Sequence, residues 1–169
     1  DAGDTTVKDA PAYQDILEAE VTKVIPAEGE PYFIFREGLA EGVTSDSPFP
    51  SHPGGVKHIL WDFGIGTSEP PFPSGYPFAG NGNRRNEDYL VWLDWDGACF
   101  RGVLVDRTPL RRGEPARLSS VDFALCGPDV LLFVPAALLP DEFVWACGTV
   151  SVTAANAELF PDEDGDAKD

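Results

Sequence analysis

The chain predicts an all-β domain, a single antiparallel sandwich of about eight strands in a jelly-roll or immunoglobulin-like layout. Three observations carry that expectation. The stretch Asp88 to Asp106 (DYLVWLDWDGACFRGVLVD) holds two apolar, β-branched and aromatic runs around Asp96-Gly97, a dipeptide favoured in tight hairpin turns. Short runs of the same kind recur along the chain, separated by Gly- and Pro-rich turns. The content of 17 Gly and 16 Pro is too high for a helical bundle.

The central hairpin sets the frame. A two-residue type I′ turn at Asp96-Gly97 places Trp95 opposite Ala98, Leu93 opposite Phe100, Val91 opposite Gly102 and Tyr89 opposite Leu104. That face is apolar throughout and is expected to be core. The other face pairs Asp94 with Cys99, Trp92 with Arg101 and Leu90 with Val103, and turns polar toward the tip.

Before it, residues 1–14 form a polar lead-in to a domain spanning 15–155. Asp15 to Ile25 (DILEAEVTKVI) alternates Leu17, Ala19 and Val21 against Glu18, Glu20 and Thr22, the period of a half-buried strand. Pro26 to Glu30 turns the chain into a second strand, Tyr32 to Arg36 (YFIFR). A Pro-rich loop leads to Val56–Phe63 (VKHILWDF), with Ile59, Trp61 and Phe63 on one face and His58, Leu60 and Asp62 on the other. The connection from Gly64 to Glu87 has no periodicity and exceeds the roughly 12–15 residues usual for unstructured loops in compact domains. Its Phe72, Tyr76 and Phe78 argue that it packs down on the sandwich.

After the hairpin, Arg107 to Pro115 is a basic turn. Arg117 to Cys126 and Val130 to Val134 read as strands around Gly127-Pro128-Asp129. Pro135 to Leu139 suits one helical turn, with Pro at a tolerated first position. Phe143 to Thr153 is the last long strand, and residues 156–169 form an acidic tail expected to be disordered.

Charge and composition narrow the functions. The 29 acidic against 12 basic residues give a net charge of −17, which repels phosphate backbones and anionic lipid, so nucleic acid is excluded as a natural partner. No apolar run reaches the roughly 18 residues of a membrane span. Solubility, cation binding, a salty habitat and a basic partner all stay open. The chain starts at Asp1 and has no Met, as removal of an export signal would leave it, although a trimmed expression product would look the same. In an exported protein Cys126–Cys147 is a candidate disulfide with Cys99 left over; small buried apolar residues are the competing reading of all three.

No catalytic pattern stands out. His52 and His58 have no nucleophile motif beside them, and no pair of carboxylates is singled out for glycoside hydrolysis. Asp162, Asp164 and Asp166 alternate as in a calcium loop, but Gly165 falls too early. The segment Gly80 to Asp88 (GNGNRRNED) offers oxygen ligands, with Glu87 and Asp88 the candidate calcium ligands, against the cost of Arg84 and Arg85 nearby. Trp92 with Arg101, beside Tyr76 and Phe78, is the candidate ligand-binding platform, since an indole with a guanidinium over it can also stack a sugar.

The order DILEAEVTKV, PYFIFRE, HILWDFGIGT, GNGNRRNEDYLVWLDWDG, FRGVLVDRTPL, VDFALCGPDVLLFVPAALL, DEFVWACGTVS resembles exported bacterial β-sandwich domains of the DOMON-like and family-nine carbohydrate-binding-module kind. In those a polar or acidic segment precedes a strand ending in a D-G hairpin, and a strand ending V-P-x-x-L-L leads into a Trp-containing last strand. The resemblance spans Asp15 to Thr153. It implies a secreted domain that binds a protein partner or a surface glycan. Its haem-binding members use Met and His as ligands, and this chain has no Met, so no cofactor is expected. The expectation is a non-catalytic, exported binding or interaction module, possessing an accessory role in a cell-surface or extracellular assembly. A carbohydrate-binding module with an exposed aromatic platform is the first alternative, and a secreted hydrolase the second.

Overall fold

Side chains alternating in polarity along short, turn-bounded runs cannot bury their apolar face alone, and the chain resolves this by stacking two sheets. The computed structural model describes residues 11–43, 56–67 and 87–153. Among the described residues nine strands lie in two antiparallel sheets. They are β1 (Ile16–Val24), β2 (Tyr32–Leu39), β3 (Val56–Gly66), β4 (Tyr89–Trp95), β5 (Phe100–Asp106), β6 (Arg117–Ser120), β7 (Asp122–Cys126), β8 (Asp129–Pro135) and β9 (Val144–Thr153). One sheet has the order β1-β2-β8-β7, and the other β6-β5-β4-β3-β9. Strand β8 packs across β4, with β1 beside β9 on one side of the sandwich and β7 beside β5 on the other.

The inward faces meet in one core. Phe35, Trp61, Phe63, Ile65, Val91, Leu93, Leu132 and Val134 are fully withdrawn from water; Trp95 packs with partly buried Phe100 at one end of β4, and partly buried Tyr89 stands at the other. Phe35 and Phe63 meet edge to face across the sheets at 5.1 Å, a preferred aromatic geometry. Trp61 donates its indole N–H to the carbonyl of Tyr13 at 2.8 Å, so its one polar atom is satisfied inside the core.

Several local expectations are corrected. The hairpin closes two residues later than a type I′ turn would place it: Trp95 stands opposite Phe100, Leu93 opposite Gly102, and Val91 opposite Leu104. Asp96 keeps a negative φ, and only Gly97 has a positive one, at 90°. The side chain of Asp96 accepts from the N–H groups of Ala98 and Cys99 at 2.8 and 2.9 Å, making the wider turn the better-bonded one. A two-residue shift preserves which face each side chain takes, so the core assignment stands.

In β1 an irregularity between Ile16 and Glu18 leaves Leu17 outside the ladder, 67% exposed, while Ala19 and Val21 keep the inward face. Strand β3 runs on to Gly66. The run Arg117 to Cys126 is two strands in different sheets: β6 pairs with β5, and β7 pairs with β8. The chain crosses at Val121, whose N–H donates to the carbonyl of Gly102 at 3.0 Å. The short helical turn after β8 is present as a 3-10 turn at Ala136–Leu138. No helix among the described residues is long and apolar enough to cross a membrane.

Candidate functional site

Both outer faces of the sandwich carry apolar side chains, but they are treated differently. On the five-stranded sheet, the outward residues Leu60 (β3), Leu90 and Trp92 (β4) and Val105 (β5) form a second cluster of buried side chains. The loop between β5 and β6 supplies part of its cover. A 3-10 turn at Thr108–Arg112 brings Leu110 against the cluster, and Ala116 joins it. Trp92 keeps only 7% of its surface in water. It stands opposite Val103, and Arg101 stands opposite Asp94 instead. The expected Trp92–Arg101 platform is therefore replaced by a buried indole and a guanidinium turned to the hairpin tip. Tyr76 and Phe78, the other two residues of that platform, lie outside the described residues, as do His52 and the tail aspartates.

At the tip, Arg101 donates to Asp96 at 2.5 Å, and His58 Nδ1 lies 2.9 Å from Asp94 Oδ1. The backbone N–H of Cys99, with that of Ala98 and the Arg101 guanidinium, holds the Asp96 carboxyl far below the usual carboxylate range. The Cys99 thiol donates to the same carboxylate, and this hydrogen bond raises its pKa. A thiol held protonated is a poor nucleophile. Asp96→Ala is expected to cost about 1 kcal/mol through the lost turn bonds and to shift the maleimide reactivity of Cys99 to lower pH. An unchanged reactivity profile would show that Asp96 does not hold the thiol.

Glu87 and Asp88, the candidate calcium ligands, sit just before β4, where both side chains are buried. Asp88 is engaged inside the fold, accepting from the Thr67 N–H at 2.9 Å and from its hydroxyl. Glu87 lies directly over Gly64: a Cβ there would stand 2.3 Å from Glu87 Oε1. Among the described residues no three His, Cys, Asp or Glu side chains are gathered as a metal would need.

The candidate disulfide is also corrected. Cys126 and Cys147 are free thiols. Cys126 ends β7, an edge of the four-stranded sheet, and Cys147 lies in β9, the edge of the other sheet on the far side of the sandwich. The core stands between them. Burial, with the charges of Glu37 and Asp62, pushes the Cys147 thiol up to about 12.

Two features were not singled out from sequence. Glu37 shares the inward phase of Phe33, Phe35 and Leu39 along β2, so its carboxyl lies in the core, fully buried, and neither oxygen has a hydrogen-bond partner. Burial first, and the charge of Asp62 second, hold its pKa well above the ordinary value. Period-two counting finds this residue once the strand is carried beyond Arg36.

The second feature is the outer face of the four-stranded sheet. Tyr32 and Ile34 of β2, Leu131 and Phe133 of β8, and Ala124 of β7 all point outward and are only part-buried. Ile34 faces Phe133 directly, and Tyr32 meets the Phe133 ring edge-on at 6.2 Å. The signal was present in YFIFR and VLLFV, continuous apolar runs of the kind strands show when both faces are covered. At one end Arg36 bridges Glu18 and Asp129 at 2.5 and 2.8 Å.

No family model, curated protein or solved structure matches the chain.

Proposed function

We propose that this domain is a non-catalytic binding module that engages a protein partner through the outer face of its four-stranded sheet. The observation that carries the reading is the unequal treatment of the two outer faces. On the five-stranded sheet Leu60, Leu90, Trp92 and Val105 are buried. On the four-stranded sheet Ile34, Leu131 and Phe133, in the middle of the face, keep surface in water. Neighbours in a sheet already shield such side chains laterally, so what stays exposed is the top, where a partner would lie.

The hydrogen bond from the Cys99 thiol to Asp96, which raises its pKa, argues against this cysteine as a nucleophile. The burial of Trp92 removes the aromatic platform expected for a sugar at that position, since a stacked sugar ring needs an open aromatic face. An exported accessory role belongs to this proposal through the family resemblance.

The test compares the wild-type chain with Ile34→Ser/Phe133→Ser, both checked for native circular dichroism, as cross-linking baits in an extract of the native source. A stoichiometric protein partner that the wild type holds and the variant loses is the expected result. Equal recovery by both chains, or binding only to a glycan array, would overturn the reading.

A further inference from the structure

We infer that the occupant of this face is a protein segment with an apolar centre and basic flanks, and not a second copy of the chain. The inference rests on the proposed use of the face for binding and adds the chemistry of what binds. Its centre is the quartet Tyr32, Ile34, Leu131 and Phe133: Ile34 stands opposite Phe133, while Tyr32 and Leu131, opposite Pro135 and Arg36, lie diagonal to that pair. Its rim is acidic on every side. Glu18 and Glu20 lie along β1, Glu28 and Glu30 are exposed in the β1–β2 turn, Asp122 lies on β7, and Asp129 begins β8.

The basic side chain on the face, Arg36, is already held between Glu18 and Asp129. Lys23, at the β1 edge, is paired with Asp141 at 2.6 Å and lies against the Phe33 ring. A partner with apolar side chains for the quartet and Lys or Arg beyond them would meet complementary charge around a desolvated centre. Two copies stacked face to face would instead oppose two acidic rims in a chain of net charge −17.

The test uses two synthetic decapeptides, one alternating Val and Lys and the other alternating Val and Glu. Binding to the full chain is followed by calorimetry at about 0.15 M salt, where charges far apart are screened. The Lys peptide is expected to bind at least about tenfold more tightly than the Glu peptide. Ile34→Ser/Phe133→Ser and, separately, Glu20→Lys/Asp122→Lys should each weaken the Lys peptide by about tenfold, while Glu114→Lys, outside the face, changes nothing. Hydrogen exchange on the wild type gives a readout independent of variant folding: added Lys peptide should protect β2 and β8.

Equal binding of the two peptides, with protection still on β2 and β8, would overturn the basic partner and leave the binding face standing. Binding of the Lys peptide that ignores Ile34→Ser/Phe133→Ser and protects other strands would overturn both. A dimer in sedimentation equilibrium that Phe133→Ser dissolves would make the second copy the occupant and overturn this inference.

Discussion

Gly102→Val is expected to destabilise the fold by about 3 kcal/mol, the upper end of what overpacking costs. Gly102 is buried in β5, opposite Leu93. A Cβ at this position would stand 2.3 Å from the carbonyl oxygen of Val121 and 3.1 Å from its Cγ2. The first obstacle is backbone and has no rotamer to escape into. Val121 is also where the chain leaves one sheet for the other, with its own N–H bonded to the Gly102 carbonyl. Relieving the clash therefore pulls on the β6–β7 crossing as well as on the β4–β5 hairpin. In denaturant unfolding the midpoint should fall while the slope stays constant, the signature of lost stability in an unchanged fold. A midpoint equal to that of the wild type would show that the crossing is not anchored on this glycine.

Glu37→Leu is expected to do the opposite and stabilise the protein near neutral pH by about 1–3 kcal/mol, the range for an unsatisfied buried polar group. The carboxyl lies between the sheets with neither oxygen hydrogen-bonded. Its pKa is well above the usual value in the folded state, because of burial and then of Asp62. The unfolded chain therefore releases this proton first as pH rises. The group's contribution is fully present below the unfolded pKa, declines as pH climbs toward the folded value, and levels off above it. The carboxyls of Asp96, Glu114 and Asp141 are held low by their hydrogen bonds, so the stability they lend is lost at acid pH instead. The difference between wild type and Glu37→Leu reports Glu37 together with its coupling to Asp62 and Cys147. The advantage of the variant should widen as pH rises above the ordinary carboxyl value of about 4.3. Parallel curves above that value would mean that Glu37 ionises without penalty.

These two residues mark where sequence reasoning reached and where it stopped. Period-two alternation placed Ile59, Trp61, Phe63, Val91 and Leu93 in the core correctly, because side-chain direction in a strand is a local property. It survived the wrong hairpin register for the same reason: the shift was by two residues, and parity was kept. The same counting reaches Glu37, whose phase matches Phe33 and Phe35, once β2 is extended past Arg36. The split between β6 and β7 had no such mark. RLSSVDFALC contains no Gly or Pro, and the crossing depends on a glycine in β5 that is distant in the chain.

The candidate site divides in the same way. Alternation shows that Trp92 points away from the inter-sheet core, but not whether anything lies over it. Its burial is partly due to a loop whose Leu110 and Ala116 come from outside the strand altogether. Likewise Cys126 and Cys147 look pairable along the chain, while the sandwich puts them on opposite edges. Strand character and, apart from Leu17, the inward or outward direction of the strand residues named above were thus legible in the sequence, since they follow from neighbours one or two residues away, whereas the hairpin register and the β6–β7 crossing were not. Which outer face is covered, which acid is trapped inside and which cysteines are kept apart were decided only by the tertiary structure, because each depends on segments brought together after the two sheets close.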